Sequence, residues 1–170
     1  SRSRQKYVWF SENPFTTLEA IAAHDKAFYY LEGIPGEMVY DQDTLLLINE
    51  NKGDLILTEA FHKYADYRGF KLYFCRKSDP QSKGKIENVI KYIKYNFLRG
   101  RVFINIDTLN GQGMEWLSRT ANAKVHSATR KIPFEEWLIE KTYLQPVMDS
   151  FKPSSVLDEH DVRKDNTISY

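Results

Sequence analysis

Apolar residues recur along this chain with two periods, and each change of period marks a predicted element. Lys6–Phe10 (KYVWF) is aromatic and β-branched and predicts a strand. Thr16 and Glu19 then form a T-x-x-E capping box, and Leu18, Ile21, Ala22, Phe28 and Leu31 follow at helical spacing. That helix ends near Gly33, with Pro35 confirming the stop. Glu37–Tyr40 predicts a short strand with Asp41 at its C-terminal end. Thr44–Ile48 and Asp54–Leu57 are β-rich runs flanking "NENKG", a hairpin pattern with Gly53 at the turn.

Thr58–Arg68 predicts a helix closed by Gly69, and Phe70–Cys75 a strand. Lys71 is the only polar residue of that strand, which implies a parallel sheet covered on both faces. "RKSDPQSKG" has loop composition. Ile86, Val89, Ile90, Ile93 and Phe97 then trace a helix from about Lys85 to Leu98. Asp107–Ala121, Pro133–Glu140 and Tyr143–Met148 predict further helices without strands. The predicted organisation is an α/β unit over 1–101, a helical extension over 102–150 and a linker over 151–170 leading into a further domain.

Composition narrows the class. At 170 residues, 42% hydrophobic and 14% aromatic, the chain is globular and within single-domain size. It has no long apolar run and no signal-peptide pattern at "SRSRQKYVWF", so the expectation is a soluble, cytoplasmic protein without a membrane partner. Cys75 is the single cysteine, which excludes an internal disulfide and a cysteine-cluster zinc site; a buried strand position is expected for it. His24, His62, His126 and His160 lack ligand spacing. Trp9, Trp116 and Trp137 read as packing residues. Asp25, in "AHDKAF", reads as a solvated mid-helix residue. The absence of an initiator Met and the ending "RKDNTISY" suggest a piece of a longer polypeptide.

Charge changes the picture most. Lys71–Arg101 carries nine Lys or Arg against two acids, Asp79 and Glu87. This +7 in a chain of net +1 leaves −6 for the other 139 residues. Such a concentrated field suits a polyanion. Glu87 shares a helix face with Lys91 and Lys94, at i+4 and i+7, an arrangement suited to metal-assisted chemistry on phosphate. The plainer alternative is a solvated helix with one Glu–Lys pair.

The segments "GIPGEMVYDQD", "FCRKSDPQSKGKIENVIKYIKYNFLRGR", "WLSRTAN" and "VHSATRKIPFEEWLIEK", in this order, closely resemble the catalytic core of IstA-type transposases of the DDE integrase superfamily. The resemblance implies an RNase H-like fold whose first strand or strands lie upstream of this chain, followed by C-terminal helices. It further implies DNA strand transfer at two Mg²⁺ (or Mn²⁺) ions held by an Asp-Asp-Glu triad. Hard divalent ions take oxygen ligands and flank the attacking and leaving oxygens of an in-line displacement.

Asp41 matches the second acid and Glu87 the third, so these are the expected catalytic and metal-binding residues. The predicted hairpin accounts for the long interval between them. The first Asp lies upstream, which implies that this piece alone is inactive and that its sheet lacks a neighbour. Lys91 and Lys94 match DNA-contacting positions, while Lys83 and Lys85, in the loop before the helix, are expected at phosphates. Arg76 and Lys77 are weaker candidates, and Asp43 reads as a turn residue. The resemblance also implies DNA, further copies of the chain and an AAA+ ATPase as partners. Two alternatives stay open: a DNA-binding or assembly module of the same protein, and an RNase H-type nuclease that uses water as nucleophile.

Overall fold

The computed structural model describes residues 2–40, 47–51, 54–74 and 80–148, with the backbone alone at 47–51, 54–57 and 80–83. Its mixed α/β architecture runs α1 (Thr17–Tyr30), β1 (Glu37–Tyr40), β2 (Leu47–Asn51), β3 (Asp54–Leu57), α2 (Glu59–Arg68), β4 (Lys71–Phe74), α3 (Pro80–Ile93), α4 (Ile106–Trp116) and α5 (Pro133–Glu140). β1 pairs in parallel with β4, Glu37 opposite Lys71 and Tyr40 opposite Phe74. β2 and β3 form the expected antiparallel hairpin, irregular between Leu47 and Asn49; the first strand runs on to Asn51, and 44–46 of the expected strand lie outside the described residues.

The local signals for α1 and α2 hold. The Thr16 hydroxyl accepts from the Glu19 N–H at 3.2 Å, and the Glu19 carboxylate accepts from the Thr16 N–H at 2.8 Å. These satisfy two of the donors that a helix start leaves open. Thr58 precedes α2, and Gly69 ends it with φ +72°, a conformation that needs no strain only in glycine.

A first core gathers Ile21 and Phe28 of α1, Phe61, Tyr64 and Ala65 of α2, and Phe70 before β4, with Met38, Tyr40 and Leu72 of the parallel pair against it. Only this face of the pair is covered: Val39 and Tyr73 on the other are 47% and 45% exposed. The expectation that β4 is covered on both faces is therefore corrected. A run of apolar residues reads the same whether one or both faces meet protein, and here α1 and α2 cover one.

Asp25 is likewise not a solvated residue. Its carboxylate lies 2.7 Å from Arg68 Nη2 and accepts from Tyr64 Oη at 2.6 Å and Arg68 Nε at 3.0 Å, with the Arg68 side chain only 2% exposed. Tyr64 and Arg68 stand four residues apart on α2, so one face of that helix presents both donors to α1.

A second core joins Phe97, Trp116, Leu117 and Ala121, with Val8, Phe10, Tyr30 and Tyr92 against it. Both helices entering it end in a π turn, Lys94–Leu98 after α3 and Leu117–Ala121 after α4. Widening a turn loosens its carbonyls, and side chains collect two of them: Arg101 Nε donates to Phe97 O at 3.1 Å, and Lys6 Nζ to Ala121 O at 3.4 Å.

Lys6–Phe10 is extended but enters no strand ladder among the described residues. Two asparagine amides take the place of a neighbouring strand. Asn122 accepts from Lys6 N–H at 2.9 Å and donates to Lys6 O at 2.8 Å; Asn110 does the same for Phe10 at 2.8 and 3.0 Å. Residues 143–148 are not a helix either. A 3₁₀ turn over Lys141–Tyr143 gives way to an extended stretch in which Gln145 bridges Ile34. Pro146 disfavours helical geometry at the residue before it, and Gly33 admits Leu144 so closely that a Cβ there would lie 2.5 Å from Leu144 Cβ. Trp116 and Trp137 are buried, as packing residues should be.

Candidate carboxylate site and nucleic-acid interface

α3 positions the predicted chemistry. It begins at Pro80, so the stretch assigned above to a loop is helical from that residue onward, and Lys83 and Lys85 belong to the first two turns of α3. Proline is well suited to open a helix, because its missing N–H is one that the first turn leaves unpaired. Reading "PQSKG" as loop gave too much weight to composition and too little to that position.

The C-terminal half of the helix is anchored by Tyr92, Ile93 and Phe97 in the second core. Its outward face carries Glu87, Lys91 and Lys94, all exposed, and Lys85 is exposed nearby. Glu87 forms no ion pair with Lys91 despite their i,i+4 spacing. The Glu–Lys pair of the plainer reading is therefore not formed, while the solvated face it describes is present. Val89 and Ile90 remain 39% and 47% exposed.

Asp41 follows directly on Tyr40, the last residue of β1, and lies outside the described residues, as do Asp43, Cys75, Arg76 and Lys77. The expected pairing of Asp41 with Glu87 therefore has no distance to report. Among the described residues no three His, Cys, Asp or Glu side chains gather as a metal cluster.

The approach to Asp41 is nonetheless well defined. His24 Nδ1–H donates to Ala20 O at 2.7 Å, which leaves Nε2 to accept from the Tyr40 hydroxyl at 3.1 Å. The Tyr40 ring also stacks on Phe74 across the parallel pair, with centroids 5.5 Å apart. Burial lowers the His24 pKa, partly opposed by its bond to Ala20 and by Asp25, and burial raises that of Tyr40. The end of β1 is held by neutral groups.

A second group of cations lies outside Lys71–Arg101. Residues 116–134 contain Arg119, Lys124, Arg130 and Lys131 and no acid, a signal readable by the same count. Lys6 brings the N-terminal segment beside them through its contact with Ala121 and stands over the Tyr92 ring of α3, 5.4 Å from its centroid.

No helix among the described residues is long and apolar enough to cross a membrane. No protein-family model matches the chain. Known proteins do: a transposase for an IS21-like insertion sequence element of Bacteroides fragilis is 49% identical over 171 residues, covering 100% of this chain and 33% of that protein. A protein of Geobacillus stearothermophilus named for insertion sequence element IS5376 is 31% identical over 99% of the chain and 41% of its own length. The IS21 transposase of Pseudomonas aeruginosa is 28% identical over 84% of the chain and 37% of its own length. The chain spans about a third to two-fifths of the length of these relatives. It is thus homologous, over its whole length, to a segment of the IS21-type insertion-sequence transposases.

Proposed function

We propose that this chain supplies part of the strand-transfer site of a DDE-type DNA transposase with an RNase H-like core, Asp41 and Glu87 being two of its three carboxylates. The observation that carries the reading is Glu87: an exposed carboxylate, not paired with its neighbour Lys91, on a helix face that is otherwise cationic. Asp41 is the residue after β1 in the chain, and β4, the parallel partner of β1, precedes α3 in sequence, an order that supports the reading. Residues 1–101 are assigned to the catalytic part and 102–150 to a helical extension.

The donor set fits Mg²⁺ or Mn²⁺, since hard divalent ions take carboxylate oxygen and Glu87 is open to accept one. Bound there, the ions would stabilise the charge that develops on a target phosphodiester attacked by a 3′-hydroxyl. Asp41 and Glu87 would supply the negative charge that holds them. Lys91 and Lys94, with Lys83 and Lys85 a turn or more earlier, neutralise DNA phosphates along the same helix. DNA is the partner on this reading, together with further copies of the protein and an AAA+ ATPase.

Strand transfer by the intact protein on labelled element ends tests the assignment. Glu87→Gln and Asp41→Asn keep shape but remove charge, and each should abolish joining while DNA binding survives. The 170-residue chain alone, with two of three carboxylates, should join no strands. Joining by either substituted protein, or by the short chain, would sink the triad. Release of nicked product without joining would favour a hydrolytic nuclease.

A further inference from the structure

The acid-free run over 116–134 carries more charge than the fold uses. Lys131 is committed to Glu136, whose carboxylate lies 2.7 Å away. Arg119, Lys124 and Arg130 are exposed and form no ion pair with any described acid. Three unneutralised cations within twelve residues repel one another, a cost that a bound polyanion relieves.

The loop that presents them is built rather than slack. His126 N–H donates to Lys131 O at 2.8 Å, Arg130 N–H donates to His126 O at 2.8 Å, and Thr129 N–H reaches His126 Nδ1 at 3.4 Å. Phe134 N–H ties the far end to Asn122 O at 3.0 Å, and Asn122 in turn holds the backbone of Lys6. A loop fixed in this way loses little freedom when a ligand arrives.

The His126 pKa is lowered first by burial and then by the charges of Lys6 and Arg4. Those side chains therefore add to the positive potential of the loop. Lys6 lies between this surface and α3, contacting Ala121 O on one side and the Tyr92 ring, next in sequence to Lys91, on the other. Lys6 thus links the stem of the loop to α3.

We propose that Arg119, Lys124 and Arg130, presented on the His126–Lys131 loop and its stem, form a second duplex-DNA contact surface in addition to Lys91 and Lys94. The chemistry selects the phosphate backbone of a duplex. Residues 117–133 hold no Phe, Tyr or Trp on which an unpaired base could stack, whereas Ser127 and Thr129 add hydroxyl donors suited to phosphate oxygens. This inference rests on the preceding reading only for the identity of the polyanion.

Fluorescence anisotropy with the intact protein and a non-specific duplex, titrated over about 50–200 mM salt, tests it. Arg119→Gln with Lys124→Gln and Arg130→Gln removes three charges, so the log–log slope should flatten by about 2.7, with a thermal melt unchanged. Lys91→Ala with Lys94→Ala should flatten it by about 1.8 in a separate titration. An unchanged slope in the triple variant overturns this surface even if the α3 variant flattens. Flattening in the triple variant alone supports it and removes α3 from the interface instead. Loop-dependent binding of poly-glutamate but not of duplex DNA would also overturn it.

Discussion

Asp25 and Arg68 show why a residue type is a poor guide to its environment. An acid in the middle of α1 reads as solvated until Tyr64 and Arg68 arrive from α2 and take both of its oxygens. Removing one partner leaves a buried charge without compensation, which costs about 3–5 kcal/mol. Arg68→Met should therefore lower stability by about that amount in urea unfolding. Arg68→Met with Asp25→Leu should recover much of the loss, because a buried pair replaced by apolar groups is nearly neutral. A double variant no more stable than the single one would contradict this account.

His24 adds a pH dependence at the same scale. Its folded pKa lies below the ordinary 6.5 because its surroundings disfavour the charged form. The unfolded chain then binds more protons as pH falls, so the contribution is complete above 6.5 and is lost progressively below it, towards the lowered folded value. Urea midpoints measured from neutral to acidic pH should decline through this window, and His24→Phe should flatten the decline. His126, also lowered, adds to the slope that remains, and at more acidic pH so do Glu19, Glu136 and Glu140, the last brought down by hydrogen bonds from Ser3 and Arg2 despite its burial.

At the scale of elements, the N-terminal segment depends on two side chains. Each asparagine both donates to and accepts from one residue of Lys6–Phe10, as a paired strand would. Asn122→Asp keeps the acceptor and loses the donor, so Lys6 O should be left unsatisfied at a cost of about 1–3 kcal/mol. Hydrogen exchange at residues 6–10 should accelerate well before the α1 amides respond; equal acceleration in both would mean that the segment does not open on its own.

The elements most legible in the sequence were those whose signals are local. The capping box at Thr16, the glycine at 69, the proline at 133 and the hairpin around Gly53 each act within a few residues. The misread ones were decided at a distance. Lys6–Phe10 has strand chemistry, but its backbone partners are side chains 100 and 116 residues away. Residues 143–148 are drawn into an extended path by Ile34. Pro80 is the exception, a local helix-start signal inside a stretch of loop composition.

For the whole molecule, the charge distribution was readable and the covering of surfaces was not. The excess of cations around α3 and the place of Glu87 on its basic face follow from counting and periodicity. Which apolar faces meet protein depends on what stands opposite. Val39 and Tyr73 on the parallel pair, Val89 and Ile90 on α3, and the stretch Val102, Phe103 and Ile104, at 81%, 59% and 68%, all remain exposed. Scattered exposed apolar residues are ordinary, but a run of three consecutive ones is not. The 170-residue chain in isolation should therefore bind the dye ANS while folded and scatter light increasingly with concentration. A protein of the relatives' full length should show less of both per molecule. Phe103→Lys places a charge in the most exposed run without touching either core, so it should reduce dye binding and scattering together and leave the unfolding midpoint within about 0.5 kcal/mol. A dark, monomeric wild-type chain would show that these faces are tolerated as ordinary surface.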